Sequence, residues 1–553
     1  MGGVDAASEQ SVHQATSPWA PLRHRVFFML FIAQLASNVG TLMQNVGSAW
    51  LMGDLHASTA LVALVQTATF LPVLLIGIPA GALADIVDRR RLILATQAWM
   101  MVFAFLLAGL TFAHMVTPGL LLALTFALGL GTAVNGPAWM AIQQDLVPKD
   151  DVPQAIALGA LTYNVGRAVG PALGGVVITI AGPPWVFMLN AVSFIGVLLV
   201  VAVWRPPRRL DRILLESLAG ATRAAVRYGA NAPVLRGILV RTVVFIFPAA
   251  ALQALLPTVV RQHLGLGSGG YGVLLGCFGV GAASAAVIRP RVSAIMSADA
   301  LMTLSTFVIA GALVVTGLVH IAWLVATTLV VAGAAWVLAT ITLNVAAQIA
   351  LPWWVRARGL ALYLLAITGG LSIGSALWGL VAEWSLAGSY GLAAMVLVVG
   401  AASTRRWRLG NLHALDLSPV SGTDPVVALV PRPADGPVVV TVTYTVPDAD
   451  MTSFTEAMQI MEAHRRRTGA YQWGLFRDLG EPNRFVEIFH VESWAANLRQ
   501  HERVTAHFDQ QREIVRKYLH SIEAPVHLLS AYSPGALEPL IAHSEPDELT
   551  IAD

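Results

Sequence analysis

Gln34, Asn38, Thr41 and Asn45 fall at i, i+4, i+7 and i+11 inside a long apolar run, with Ser37, Gln44 and Ser48 beside them. That spacing gathers amides and hydroxyls on one helix face. Such a stripe can hold a ligand or water by hydrogen bonds, or bond to neighbouring helices. Turned to lipid, it would leave polar groups unsatisfied. Arg167 and Arg241 also lie inside apolar runs. A guanidinium at the centre of a membrane helix costs at least about 2.5–3.5 kcal/mol, so it normally turns to a cavity or a partner. There it could bind an anionic group or tune a proton site. Arg241 is near the end of its run and could instead reach the headgroups. Asn135, Asn164, Asn190, Gln253 and Asn344 are further polar residues of this kind.

The elements that must position these residues follow from composition. Hydrophobic residues make up 56% of the 553 and charged ones 12%, and the mean hydropathy is +0.68. Soluble domains carry about 25% charged residues, and no soluble interior hides this much apolar surface. A bilayer does. Twelve runs long enough to span it fall near 26–52, 58–84, 92–114, 119–144, 155–181, 185–204, 237–260, 269–288, 299–319, 321–347, 357–382 and 389–404. With both termini inside, twenty Lys and Arg fall on the inner side and only Arg261 on the outer, as the positive-inside rule requires. Residues 1–20 lack a basic n-region and short apolar core, so no cleavable signal is expected there. Cys277 is the only cysteine, which excludes an intrachain disulfide and a cysteine metal cluster. No GxxxxGK[ST] phosphate loop occurs, so ATP is not the expected driver.

The chain repeats itself. Shifted by 204 residues, Gln144, Pro148, Gly166, Gly170 and Gly175 land on Gln348, Pro352, Gly370, Gly374 and Gly379. Shifted by 200, Gly81, Arg89 and Arg91 land on Gly281, Arg289 and Arg291. Two parallel six-helix units are the expected reading. Residues 1–409 hold 23 basic and 12 acidic residues; residues 410–553 hold 11 and 20. Scattered arginines between apolar runs do not suggest nucleic-acid binding. The expected division is a tail 1–20, a bundle 21–204, a basic central loop 205–236, a bundle 237–409, a Pro-rich linker 410–436, a soluble domain 437–533 and an acidic, disordered tail 534–553. The soluble part reads βαββαβ, a ferredoxin-like α+β order. The fold class is therefore an all-α membrane protein of twelve spans in two six-helix pseudo-repeats, with a C-terminal ferredoxin-like domain.

Two motifs carry a family resemblance. GALADIVDRRR at 81–91 resembles the loop between helices 2 and 3 of the major facilitator superfamily, with Gly81, Leu83, Asp85, Arg89 and Arg90 at matching positions. Asp88 stands where a Gly is usual and Ile86 where an Arg is usual. The resemblance implies a latch in which Asp85 meets the N-terminus of helix 11 and neighbouring arginines; the alternative is plain topogenic charge. GRAVGPALGG at 166–175 resembles the GxxxGPxxGG signature of drug:proton antiporters on helix 5. Gly166, Gly170 and Gly174 share one face for close packing, while Pro171 removes a backbone hydrogen bond and Gly175 completes the motif. With the FMLNAVSF run at 187–194, the run at 239–261 and the C-terminal extension, the whole is similar to the enterobactin-exporter-like branch, the transmembrane secretion effectors.

That resemblance implies a cavity lined by helices 1, 4, 7 and 10. It places the helix 1 stripe, Asn135, Asn164, Arg167, Arg241 and Asn344 along a cargo pathway. It also implies export of an amphipathic small molecule, such as a drug, siderophore or secondary metabolite, by alternating access, with protons as coupling ion. The usual helix 4 Arg is missing near Thr125, and the carboxylates lie at span ends: Asp54 and Glu383 outside, Asp85 and Asp145 inside. The proton carrier is therefore unassigned. The soluble domain resembles the dimeric α/β barrels of antibiotic-biosynthesis monooxygenases. Its His464, His490, His501 and His507 could line a small-molecule or haem site, but a regulatory or dimerising role is the expectation, with no cofactor, no metal and no catalysis. Uptake, an enzymatic tail and a non-transporting receptor are the rival readings.

Overall fold

The computed structural model describes residues 17–204, 226–409, 416–420, 427 and 431–530, apart from the side chains of residues 82, 85, 86, 144, 149, 286 and 357. Most of the expected N-terminal tail, residues 205–225 of the central loop, parts of the linker, the acidic tail and the Asp85 side chain lie outside the described residues.

Among the described residues, twelve long apolar helices lie before residue 404. In the first half they are α1 (Arg25–Asp54), α2 (Thr59–Ile86), α3 (Arg89–Phe112), α4 (Pro118–Asp145), α5 (Val152–Ala181) and α6 (Pro183–Val203). In the second they are α7 (Pro233–Gln262), α8 (Ser268–Ile295), α9 (Ala298–Leu318), α10 (Ala322–Ile349), α11 (Arg356–Ala382) and α12 (Leu386–Ser403). Eleven are single spans by length and hydropathy, and α8 is a twelfth if its 58° bend between Ala285 and Val287 belongs to one span. Pro290 sits four residues beyond the bend. Its ring displaces the carbonyl of residue 286 and it donates no hydrogen bond, which explains the break.

The helix starts follow local rules. Ser58, Asp88, Thr117, Ser297 and Ser385 each accept a backbone N–H two or three residues into the helix they open. Prolines open α4, α5, α6 and α7, where a missing N–H costs nothing. The second bundle begins earlier than the sequence suggests. Residues 226–231 are already helical, α7 starts at Pro233, and Tyr228, Ala232 and Leu235 pack on Leu351 and Val355. The apolar face of this stretch outweighs its arginines.

The two halves use one packing scheme. In the first, α1 lies on α5 and α6, α2 on α4, and α3 on α4 and α6. In the second, α7 lies on α11 and α12, α8 on α10, and α9 on α10 and α12. The halves meet along two seams, α2 with α11 and α5 with α8. We call the end carrying the arginine clusters the basic end and the opposite one the far end.

Beyond the spans, β1 (Val438–Thr445), α13 (Met451–Thr468), β2 (Gln472–Arg477), β3 (Arg484–Val491), α14 (Trp494–Glu502), α15 (Ala506–Arg516), β4 (Ser521–Ile522) and β5 (Val526–Leu529) form a small domain. The sheet order is β2-β3-β1-β4, with β5 also on β1, and every pairing is antiparallel. β1 and β3 alternate buried with half-buried residues, so one face holds the core of Val442, Tyr444, Phe454, Met458 and Phe485. This domain touches the second half: the Arg503 guanidinium lies 4.3 Å over the Trp354 ring.

Candidate functional site

The polar stripe of α1 is a hydrogen-bonded ladder reaching two neighbouring helices. Gln34 Nε2 donates to Asn38 Oδ1 at 2.8 Å. Asn38 Nδ2 donates to Thr162 Oγ1 on α5 at 3.0 Å. Thr41 donates to Asn190 Oδ1 on α6 at 3.4 Å, and Asn190 Nδ2 donates to Gln44 Oε1 at 2.6 Å. Asn45 is half-buried on the same face. One buried acceptor of the ladder is left over, Gln34 Oε1, which has no partner among the described residues. It borders a shallow crevice between α1, α4 and α5, walled by Phe27, Phe31 and Trp139 with the polar groups of Gln34, Gln143 and Thr162. Sequence reasoning named Gln34 but missed Gln143 and Thr162. Thr162 sits four residues before Gly166, on the same helix face, and that spacing was the available signal.

The other polar residues scatter. Arg167 faces the α5–α8 seam, its guanidinium 5.5 Å from the Phe278 ring. Arg241 is buried and donates to Asp299 at 2.5 Å and to the Trp407 carbonyl at 2.8 Å; the other Asp299 oxygen accepts from Leu409 N at 2.9 Å. That ion pair ties α7, α9 and the segment after α12 together at the basic end, apart from the α1 stripe. Asn135 accepts from Thr96 on α3 at 3.0 Å. Asn344 accepts from Gln348 one turn on, at 2.6 Å. Asn164 is exposed on α5.

The helix 5 motif builds two contacts at once. A Cβ at Gly170 would lie 2.9 Å from the Leu42 side chain, and one at Gly174 3.0 Å from the Met43 backbone, so α1 and α5 touch almost backbone to backbone. Gly166 abuts Asn38 on the same face, and Pro171 is buried between them. Gly175 faces the other way, where a Cβ would lie 2.8 Å from Gly272 of α8. The repeat does the same work: Gly370 and Gly374 abut α7, and Gly379 meets Ala60 and Ala63 of α2.

Along the α2–α11 seam the glycines differ in what surrounds them. A Cβ at Gly379 would lie 2.6 Å from Ala63 and one at Gly77 3.4 Å from Leu365, whereas one at Gly81 meets nothing within 4 Å among the described residues. Of the helix 2–3 motif, Arg89 pairs with Asp145 of α4 at 3.0 Å, and Arg90 donates to the Val201 and Ala202 carbonyls that end α6. These arginines bind within their own half.

In the soluble domain, Glu487 is fully buried and saturated. It accepts from Arg465 at 3.1 and 3.3 Å, from Tyr444 at 2.9 Å and from Trp473 at 2.8 Å. Burial, with the Glu487 charge beside it, pushes the Tyr444 hydroxyl far up. His464 stacks on Phe508, ring centroids 3.3 Å apart. Burial and then Arg467 hold its imidazole well below the usual range. Among the described residues no group of His, Cys, Asp and Glu is arranged to hold a metal.

Comparison with known proteins matches this geometry. A family model described as transmembrane secretion effector covers residues 16–534. The chain is similar to the staphyloferrin A transporter of Staphylococcus aureus, 29% identical over 31% of this chain and 42% of that protein. It is also similar to the enterobactin exporter EntS of Citrobacter koseri, 26% identical over 51% and 67%, and to macrolide efflux protein A of Streptococcus pyogenes, 21% identical over 34% and 46%. The chain spans 26% to 67% of the length of these and other curated relatives that it matches. Among solved structures, its fold is similar to a bacterial homologue of the human lysosomal transporter Spinster, with TM-score 0.55 and 15% identity over 70% of this chain and 98% of that one. The nucleoside transporter NupG is similar too, with TM-score 0.56 and 11% identity over 69% and 99%. Twin six-helix bundles, apolar spans and a family match over almost the whole length agree: the chain belongs to the transmembrane secretion effector family of the major facilitator superfamily, and is a multi-pass membrane transporter.

Proposed function

We propose that this transporter is a secondary active exporter that carries amphipathic small molecules out of the cytoplasm by alternating access, coupled to protons. The observation that carries the reading is the polar ladder on α1 inside a two-bundle fold whose halves meet mainly along the α2–α11 and α5–α8 seams among the described residues. Under the positive-inside rule the basic end and both termini would lie in the cytoplasm, so the Gln34 end of the ladder would be nearer the compartment from which cargo is taken. Export, rather than uptake, is supported by the GRAVGPALGG motif and by the siderophore and macrolide exporters among the relatives. Cargo would contact Gln34, Asn38, Thr41, Asn45 and Arg167, while Asp85 with Arg89 and Arg90 would latch the inner side in the opposite state.

An efflux panel of drugs and siderophores, run in a strain lacking its own pumps, tests this. Cargo should then accumulate in inverted vesicles when their lumen is acidified. Accumulation only with the opposite gradient would favour uptake.

The β2-β3-β1-β4 order supports a ferredoxin-like soluble domain, and the saturated Glu487 cluster supports a structural rather than catalytic centre. Its outer sheet face, with Phe476, Val526 and Leu528 exposed, supports a dimerising role. A concentration-independent monomer in detergent would count against dimerisation.

A further inference from the structure

The far end carries few charges, and those described there bridge the two halves. Arg261, near the end of α7, crosses to the first half, where its Nη2 donates to Asp54 Oδ1 at 2.6 Å and to the Trp50 carbonyl at 3.4 Å. Its guanidinium also lies 4.4 Å over the Trp50 ring. Trp50 in turn stacks on Tyr271 of α8, ring centroids 6.2 Å apart. Gly53 makes the approach possible, since a Cβ there would stand 3.1 Å from the guanidinium carbon. Across the mouth, Glu383 at the end of α11 accepts from Ala60 N, in the first turn of α2, at 2.7 Å. A carboxylate at that point meets the positive end of the α2 dipole and satisfies an N–H that has no partner within its helix. At the basic end the pattern differs, because Arg89, Arg90 and Arg241 bind within their own halves.

We infer that Arg261 and Glu383 are the outer gate: a two-point latch that holds the far end closed and sets how often the pathway opens outward. The inference rests on the alternating-access reading above. In it, Arg261 and Glu383 are positioning residues, and neither touches cargo. Both contacts must break when the halves separate at this end. Neither is deeply buried, since the Arg261 and Asp54 side chains are 36% and 41% exposed. Such a latch is weak enough to open thermally and biases the equilibrium without freezing it.

The test uses the full-length chain in proteoliposomes, with Cys277→Ser and a reporter Asn45→Cys below the gate, and a membrane-impermeant maleimide added on the far side. Arg261→Ala should raise the labelling rate roughly three- to tenfold. Glu383→Gln should raise it less, and the double variant most. The exchange of Asp54→Arg with Arg261→Asp should bring labelling back toward the parent rate, which separates a lost latch from a misfolded chain. If the parent labels measurably but the variants stay within twofold of it, the gate assignment is wrong and alternating access stands. If no variant exposes the reporter from the far side, alternating access itself fails and the gate falls with it.

Discussion

The first helix of each half occupies the same place in the packing scheme and carries opposite chemistry. The 204-residue shift maps Gln34, Asn38, Thr41 and Asn45 of α1 onto Ile238, Thr242, Phe245 and Ala249 of α7. The α1 set forms the ladder to α5 and α6. All four α7 residues are buried, and Thr242 turns its hydroxyl back to the Ile238 carbonyl at 2.8 Å. Ser37 maps onto Arg241, and Gly174 maps onto Trp378, whose indole donates to the Phe247 carbonyl at 2.8 Å. Duplication has kept the helix-to-helix contacts and let the polar surface diverge. On this account the first half handles cargo and the second is mainly a scaffold.

The comparison breaks most visibly where the halves are most alike. Gly175→Leu and Gly379→Leu, at equivalent seam positions, should each cut efflux at least tenfold, on the order of the 1–3 kcal/mol that overpacking costs. Gly311→Leu, with open space around it, should stay within twofold of the parent. Equal losses at all three positions in a proteoliposome assay would show that the seam is not special.

Asn38→Leu strands the Thr162 contact and should raise the half-saturating cargo concentration several-fold, about 1 kcal/mol for one hydrogen bond. Thr242→Val at the matching site should change it less than twofold. Reversal of that order would move the cargo site to the second half.

Arg241→Leu leaves Asp299 without its buried cation. It should lower folding stability by about 1–3 kcal/mol, toward the low end because Asp299 is a third exposed, with cargo affinity unchanged. Thermal unfolding of the purified chain reads the first quantity and equilibrium binding the second. A large affinity loss would return Arg241 to the cargo pathway.

The smallest effect is in the soluble domain. His464 is kept neutral when folded, because burial lowers its proton affinity. Its contribution is therefore complete above the ordinary imidazole value near 6.5 and is lost as pH falls below it. Between pH 7.5 and 5.5 the domain should lose about 1 kcal/mol, read as a lower unfolding temperature that His464→Phe flattens. Unchanged pH dependence in that variant would rule out His464 as its source.

Much of this architecture was legible in the sequence, because a bilayer forces spans to be apolar and the repeat offset fixed which glycines correspond. Gly166, Gly170 and Gly175 abut α1 and α8, and their mates at 370, 374 and 379 abut the equivalent helices α7 and α2. The site was less legible. Apolar runs reveal length and not rotation, so the partner of Arg241, Asp299, 58 positions away on another helix, could not be read from the sequence. The partners of the α1 stripe, Thr162 and Asn190, likewise depend on which helices are neighbours. The start of α7 was missed because its apolar face is interleaved with arginines.

Thr179 Oγ1 and Ser268 Oγ lie 3.0 Å apart where α5 meets α8 at the far end. A Thr179→Cys, Ser268→Cys pair in a Cys277→Ser background should therefore oxidise to a disulfide across the halves. Rocking predicts that efflux stops in the oxidised protein and returns on reduction. Full-rate efflux with the bridge intact would contradict a pathway that opens by parting the two bundles there.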